Sequence, residues 1–123
     1  MTEASCLVGA QDAYNRRINY LRISVTDRCN LRCMYCSGAG VDHLRHNDIL
    51  TYEEIAQISR VAAELGVSHI RLTGGEPLVR PGLSNLIEML TSIPGIEDIS
   101  LTTNGTLLRE QAAQLKQAGL RRI

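Results

Sequence analysis

Lysine is almost missing from this chain: of its thirteen basic residues only Lys116 is lysine, and thirteen acidic residues balance them. A formal net charge of zero leaves no electrostatic footprint for nucleic acid or an anionic membrane surface, so neither is expected as a partner. Long apolar runs are missing too. No stretch is long enough to span a bilayer, and the opening residues MTEASCLVGAQDAYNRR hold no core for a signal peptide. The bias toward arginine suits bidentate binding of phosphate or carboxylate, although a plain compositional preference explains it equally well. What remains is ordinary for a globular chain of 123 residues, with 44% hydrophobic and 21% charged residues, enough for one small domain.

The most telling absence is a fourth cysteine where one would count. Cys29, Cys33 and Cys36 fall within eight residues, spaced three and then two apart, while Cys6 stands alone near the N-terminus. Clustered thiols without a secretion signal point to metal or redox chemistry in the cytoplasm rather than to disulfides. A structural zinc site closes with four protein ligands, and an ordinary iron–sulfur cluster takes four cysteines. Three thiolates leave one iron of a cubane cluster open to a small molecule. A zinc knuckle completed by His43 or His46 is the lesser alternative that the spacing leaves open.

Around this run the chain alternates between strand and helix patterns. Residues 20–26 (YLRISVT) read as a strand, and a long loop then carries the cysteines to about Leu50. Thr51 opens a helix whose capping box is completed by Glu54, with Ile55, Ile58, Val61, Ala62 and Leu65 as its apolar stripe and Gly66 as its end. Residues 68–73 form the next strand, 83–92 the second helix, 98–102 the third strand and 106–118 the third helix, stopped by Gly119. Residues 120–123 begin a fourth strand. Repeated strand–helix units predict an α/β fold with a parallel sheet, about three βα units of an incomplete barrel. The cysteine loop, Gly74-Gly75-Glu76-Pro77 and Thr102-Thr103-Asn104-Gly105 each follow a strand and so share the carboxyl-end edge, where such folds build their sites. An open last strand implies a truncated domain, or pairing with a second copy as a homodimer or with another chain.

The strings YLRISVTDRCNLRCMYC, IRLTGGEPLVR, LTTNG and LKQAGL resemble radical S-adenosylmethionine (SAM) enzymes, and among them the GTP 3′,8-cyclase family of molybdenum cofactor biosynthesis. The resemblance runs from about Asp12 to the last residue. It implies a 4Fe–4S cluster on Cys29, Cys33 and Cys36, with SAM on the open iron. Tyr35, Gly75 and Glu76 match family positions that contact SAM: the missing side chain of Gly75 would let the methionine end lie against the backbone, and Glu76 would accept a hydrogen bond from the amino group. Arg22, Arg71 and Thr102 match positions that bind GTP. The implied reaction converts GTP to 3′,8-cyclo-7,8-dihydro-GTP, fed by an electron donor and followed by the cyclic pyranopterin monophosphate synthase. The family's second, C-terminal 4Fe–4S cluster is absent from this chain. The expected organisation is an N-terminal extension over 1–17, partly disordered, and the N-terminal part of a radical SAM core over 18–123, inactive alone in cyclising GTP.

The sequence departs from the family where Ser37-Gly38 stands in place of Met-Pro, and where Tyr14-Asn15-Arg16 stands in place of Phe-Gly-Arg. Other readings remain open from residues alone. The chain could be a different radical SAM enzyme, peptide-modifying or haem-pathway, or a non-catalytic metal-binding fragment. Arg22 and Arg71 could be surface residues, Thr102 a strand terminus, and Asn104-Gly105 a turn. His69 reads as structural, Met34 as packing and Cys6 as a spectator.

Overall fold

The computed structural model describes residues 10–29 and 49–123. Three parallel strands form one sheet in the order β1 (Tyr20–Ser24), β2 (His69–Thr73), β3 (Asp98–Leu101). Three helices follow them in turn: α1 (Tyr52–Glu64), α2 (Leu83–Thr91) and α3 (Leu108–Ala118). The α/β reading therefore holds, as an open parallel sheet of three units. A short 3-10 turn at Pro77–Val79, which the sequence pattern did not reveal, separates β2 from α2.

Strand alternation sorts the sheet into two chemically different faces. Ile70 and Leu72 of β2 and Ile99 and Leu101 of β3 point into a core shared with Ile55, Leu83, Leu86, Ile87, Leu90 and Leu115 of the helices. Leu72, Leu86, Leu90 and Leu101 are wholly removed from solvent, each contributing about 1.5–3 kcal/mol through burial. The opposite face is polar. In register across it lie Tyr20 opposite His69, Arg22 opposite Arg71, and Arg71 opposite Ser100.

Local signals fix the helix ends. Thr51 accepts from the Glu54 backbone N–H and Glu54 returns the bond to the Thr51 N–H, completing the expected capping box at the start of α1. Gly119 closes α3 at φ 118, a left-handed conformation that glycine adopts without steric cost.

The apolar stripe expected on α1 needs correction. Ile55 is buried, but Ile58, Val61 and Leu65 are about half exposed. The face turned to the core is instead Ile55, Ala56 and Ser59, where small side chains allow close approach and the Ser59 hydroxyl donates to the Ile55 carbonyl at 2.8 Å. Residues 121–122 have begun to pair beside β3: Leu101 N–H donates to the Arg122 carbonyl and Arg121 N–H to that of Ile99, both at 3.0 Å. At the expected fourth strand the structure thus shows one isolated parallel bridge, Ser100 with Arg122, rather than a strand.

Before β1, residues 10–18 make a small antiparallel turn, with Ile18 N–H donating to the Ala10 carbonyl at 2.8 Å. Asn15 sits at its tip with φ 63. Asparagine tolerates the left-handed region better than other non-glycine residues, so it can stand where the resembling family carries glycine.

Candidate active site

The loop after β1 runs straight into the first cysteine, and its approach is zipped to the glycine loop after β2. Val25 N–H donates to the Thr73 carbonyl at 3.0 Å, Gly75 N–H to that of Thr26 at 2.8 Å, and Glu76 N–H to that of Arg28 at 2.7 Å. Cys29, the next residue, is exposed. A Cβ on Gly75 would lie 2.2 Å from the Arg28 carbonyl oxygen, and one on Gly74 2.5 Å from that of Thr26. Glycine at these positions is thus demanded by backbone packing of one loop on the other. This backbone packing is a demand on Gly75 in addition to the room for a cofactor expected from the sequence.

Glu76 ties in the third loop. Its carboxylate is almost wholly buried and accepts from Leu78 N–H at 2.9 Å, the Thr103 hydroxyl at 2.7 Å and Asn104 N–H at 2.7 Å. A buried carboxylate is tolerated only when such donors replace water. Three of its roughly four acceptor sites are thereby used. The GGEP and TTNG loops, expected at one edge from the strand–helix order, are joined there by the Glu76 side chain, and the start of the cysteine loop is joined to them by the Glu76 backbone N–H.

Arg80 joins the two described segments on either side of the cysteine loop. Its guanidinium donates to the Val25 carbonyl at 2.8 Å, before the loop, and to the Leu50 carbonyl at 2.7 Å, after it. The same group lies over the Tyr52 ring at 4.2 Å, and the Tyr52 hydroxyl donates to the Pro81 carbonyl at 2.7 Å. Burial pushes the Tyr52 phenol above its ordinary pKa, with the Arg80 charge opposing, so the hydroxyl keeps its proton.

The residues matched to GTP positions lie on the polar face. Arg71 donates from Nε to the Tyr20 hydroxyl at 2.7 Å and from Nη1 to the Thr102 hydroxyl at 3.0 Å. Arg22 is exposed and stands beside it in register. Consecutive residues therefore serve both groups, since Thr102 bonds Arg71 and Thr103 bonds Glu76. Tyr35, Cys33 and Cys36 lie outside the described residues. Among the described residues no three His, Cys, Asp or Glu side chains gather as a metal site, and Cys29 is the one expected ligand within them.

The profile of the Radical SAM superfamily matches residues 23–123. The chain belongs to the radical SAM superfamily. Membership implies a 4Fe–4S cluster and SAM; of the expected cluster ligands Cys29 lies among the described residues, exposed, next to a segment bonded to the glycine loop. Among curated relatives the chain is 60% identical over 114 residues to the GTP 3′,8-cyclase of Pelotomaculum thermopropionicum, with 92% of this chain and 35% of that protein covered. The identity and coverage are the same for the GTP 3′,8-cyclase of Moorella thermoacetica. The Geobacter sulfurreducens enzyme of that name is 54% identical over 113 residues, 91% of this chain and 35% of the relative. The chain thus spans about a third of the length of these radical SAM relatives.

The radical SAM chain also superposes on solved structures of BtrN. In an open conformation BtrN gives a TM-score of 0.63 at 22% identity, covering 86% of this chain and 48% of BtrN. In complex with AdoMet and 2-DOIA it gives 0.61 at 21% identity, covering 85% and 44%. At that identity the likeness concerns the fold, a partial barrel of βα units. Among the described residues no helix is long and apolar enough to cross a membrane.

Sequence patterns gave no role to Tyr20, Arg80 or Thr103. Thr103 and Arg80 fall inside strings already singled out, and Tyr20 shares the alternation of Arg22, so a faint signal existed for each.

Proposed function

We propose that this chain is the N-terminal part of a GTP 3′,8-cyclase, with residues 18–123 contributing the first units of its core and acting in the reducing cytoplasm. The observation that carries this reading is the joining of two groups of residues through Thr102 and Thr103. One group, Cys29, Gly75 and Glu76, sits at the carboxyl-end edge; the other, Arg22 and Arg71, sits on the polar face beside it. Identity of 60% to proteins of that name supports it.

In this reading Cys29, Cys33 and Cys36 hold the cluster, and Tyr35, Gly75 and Glu76 hold SAM. When bound, the cluster supplies the electron that cleaves SAM, delivered to it by an external donor. Glu76 keeps one acceptor site for the SAM amino group while its other three fix the neighbouring loops. Arg22 and Arg71 face the triphosphate of GTP, where charge-assisted hydrogen bonds are about twice as strong as neutral ones. The product passes to the cyclic pyranopterin monophosphate synthase.

A chimera tests the substrate. Joining this chain to the remaining two thirds of the Moorella thermoacetica relative should give a protein that cyclises GTP only with SAM and a reductant. Arg71→Ala in the same chimera should lower kcat/KM for GTP by about tenfold or more, the loss of a charge-assisted contact. A folded, cluster-loaded chimera without turnover on GTP would contradict the reading.

A further inference from the structure

We infer that Tyr20 is a positioning residue for the anionic substrate, acting by fixing how Arg71 presents its guanidinium; the inference rests on the GTP reading of that face. Arginine is a long, rotamer-rich side chain whose planar fork recognises phosphate only in defined orientations. Arg71 is held from both flanking strands at once. Tyr20 on β1 accepts from Nε at 2.7 Å, and Thr102 just past β3 accepts from Nη1 at 3.0 Å.

The choice of atoms matters. Binding through Nε and Nη2 would offer an anion the side edge of the guanidinium, and the Tyr20 phenol occupies that edge at Nε. Two of the five N–H donors are used, so the remaining three sit on Nη1 and Nη2. Arg71 is therefore set to grip a phosphate end-on. Tyrosine suits this task because its ring moves about only two side-chain torsions and brings a hydroxyl to a fixed point. Its own backbone is locked opposite His69 in the β1–β2 ladder. A side chain ordered before the ligand arrives does not have to be ordered by it.

The test is a titration of the chain with GTP to millimolar concentration, read from the arginine side-chain nitrogen signals by NMR. In the wild-type chain the Nη signals of Arg71 should move and its Nε signal should hold. Tyr20→Phe keeps the ring and removes the hydroxyl. It should free the Nε signal and weaken GTP binding about two- to tenfold, the cost of immobilising one flexible side chain, while a parallel titration with SAM stays unchanged. In an Arg71→Ala background the same change should have no further effect. If Arg71→Ala weakens GTP but Tyr20→Phe does not, or if Tyr20→Phe acts equally without Arg71, the inference fails and the GTP reading stands. No shift at Arg71 in the wild-type chain at any GTP concentration would overturn both.

Discussion

Cys29→Ala should abolish cluster loading while leaving the fold intact. Anaerobic reconstitution with iron and sulfide should give about four irons per wild-type chain and close to none in the variant. Two properties make the effect both large and clean. Cys29 is exposed, so its loss opens no cavity in the core. The segment before it is held by backbone bonds of Thr26 and Arg28 to Gly75 and Glu76, which do not involve the thiol. Circular dichroism of the variant should therefore match that of the parent. With three cysteines in the group, removal of one leaves a cubane with only two protein thiolates. Full iron content in Cys29→Ala would show that the cluster, if present, is held elsewhere.

The second large effect is expected at Glu76. Glu76→Gln preserves shape but turns one carboxylate oxygen into an amide nitrogen. At Oε2 that nitrogen would face the Leu78 N–H and the Thr103 hydroxyl; at Oε1 it would face the Asn104 N–H alone. The Thr103 hydroxyl can rotate to accept, but the backbone N–H groups cannot. The less costly arrangement sets the amide nitrogen against Asn104. Loss of a bond to a charged acceptor costs about 1.5–3 kcal/mol, visible as a lower denaturation midpoint. Amide exchange should locate the damage, with Asn104 losing protection and Leu78 retaining it. Equal protection of Asn104 in both proteins would mean that the carboxylate does not tie the loops together.

These two residues illustrate what could be read before any coordinates. The alternation of 20–26, the capping box of Thr51 and Glu54, and the Gly119 stop are local signals, each decided within a few residues. They were enough to place three strand–helix units and hence three loops on one edge. The buried face of α1 was harder. Both of its faces carry apolar residues, and periodicity favoured Ile58, Val61 and Leu65 over the smaller Ala56 and Ser59 that the core accepts. Size fits packing only when the partner surface is known.

The site was legible as a set of residue types but not as a set of contacts. Tyr20 meets Arg71 across 51 positions of sequence, and Thr103 meets Glu76 across 27. No local pattern encodes such pairs. The same distance effect hid the packing demand on Gly75, which is set by the Arg28 backbone far behind it in sequence. Arg80 is a further instance: nothing beside it in sequence reveals that it binds the carbonyls on both sides of the cysteine loop.

Seen together, the contacts divide the labour between two layers of one surface. Backbone zipping and the Glu76 carboxylate hold the three loops as a unit, whereas Tyr20 and Thr102 order the arginine on the face beneath. Besides the run of chain from Arg71 to Glu76, the Thr102-Thr103 pair joins the two groups, Thr102 bonding Arg71 and Thr103 bonding Glu76.

The measurement that bears most directly on this account is reductive cleavage of SAM by the chain itself. The protein would be reconstituted anaerobically with iron and sulfide, reduced, given SAM, and assayed for methionine and 5′-deoxyadenosine. The account predicts both products in equal amounts, dependent on reductant and absent from Cys29→Ala. A chain that takes up zinc in preference to iron, or that loads iron and leaves SAM intact, would contradict it.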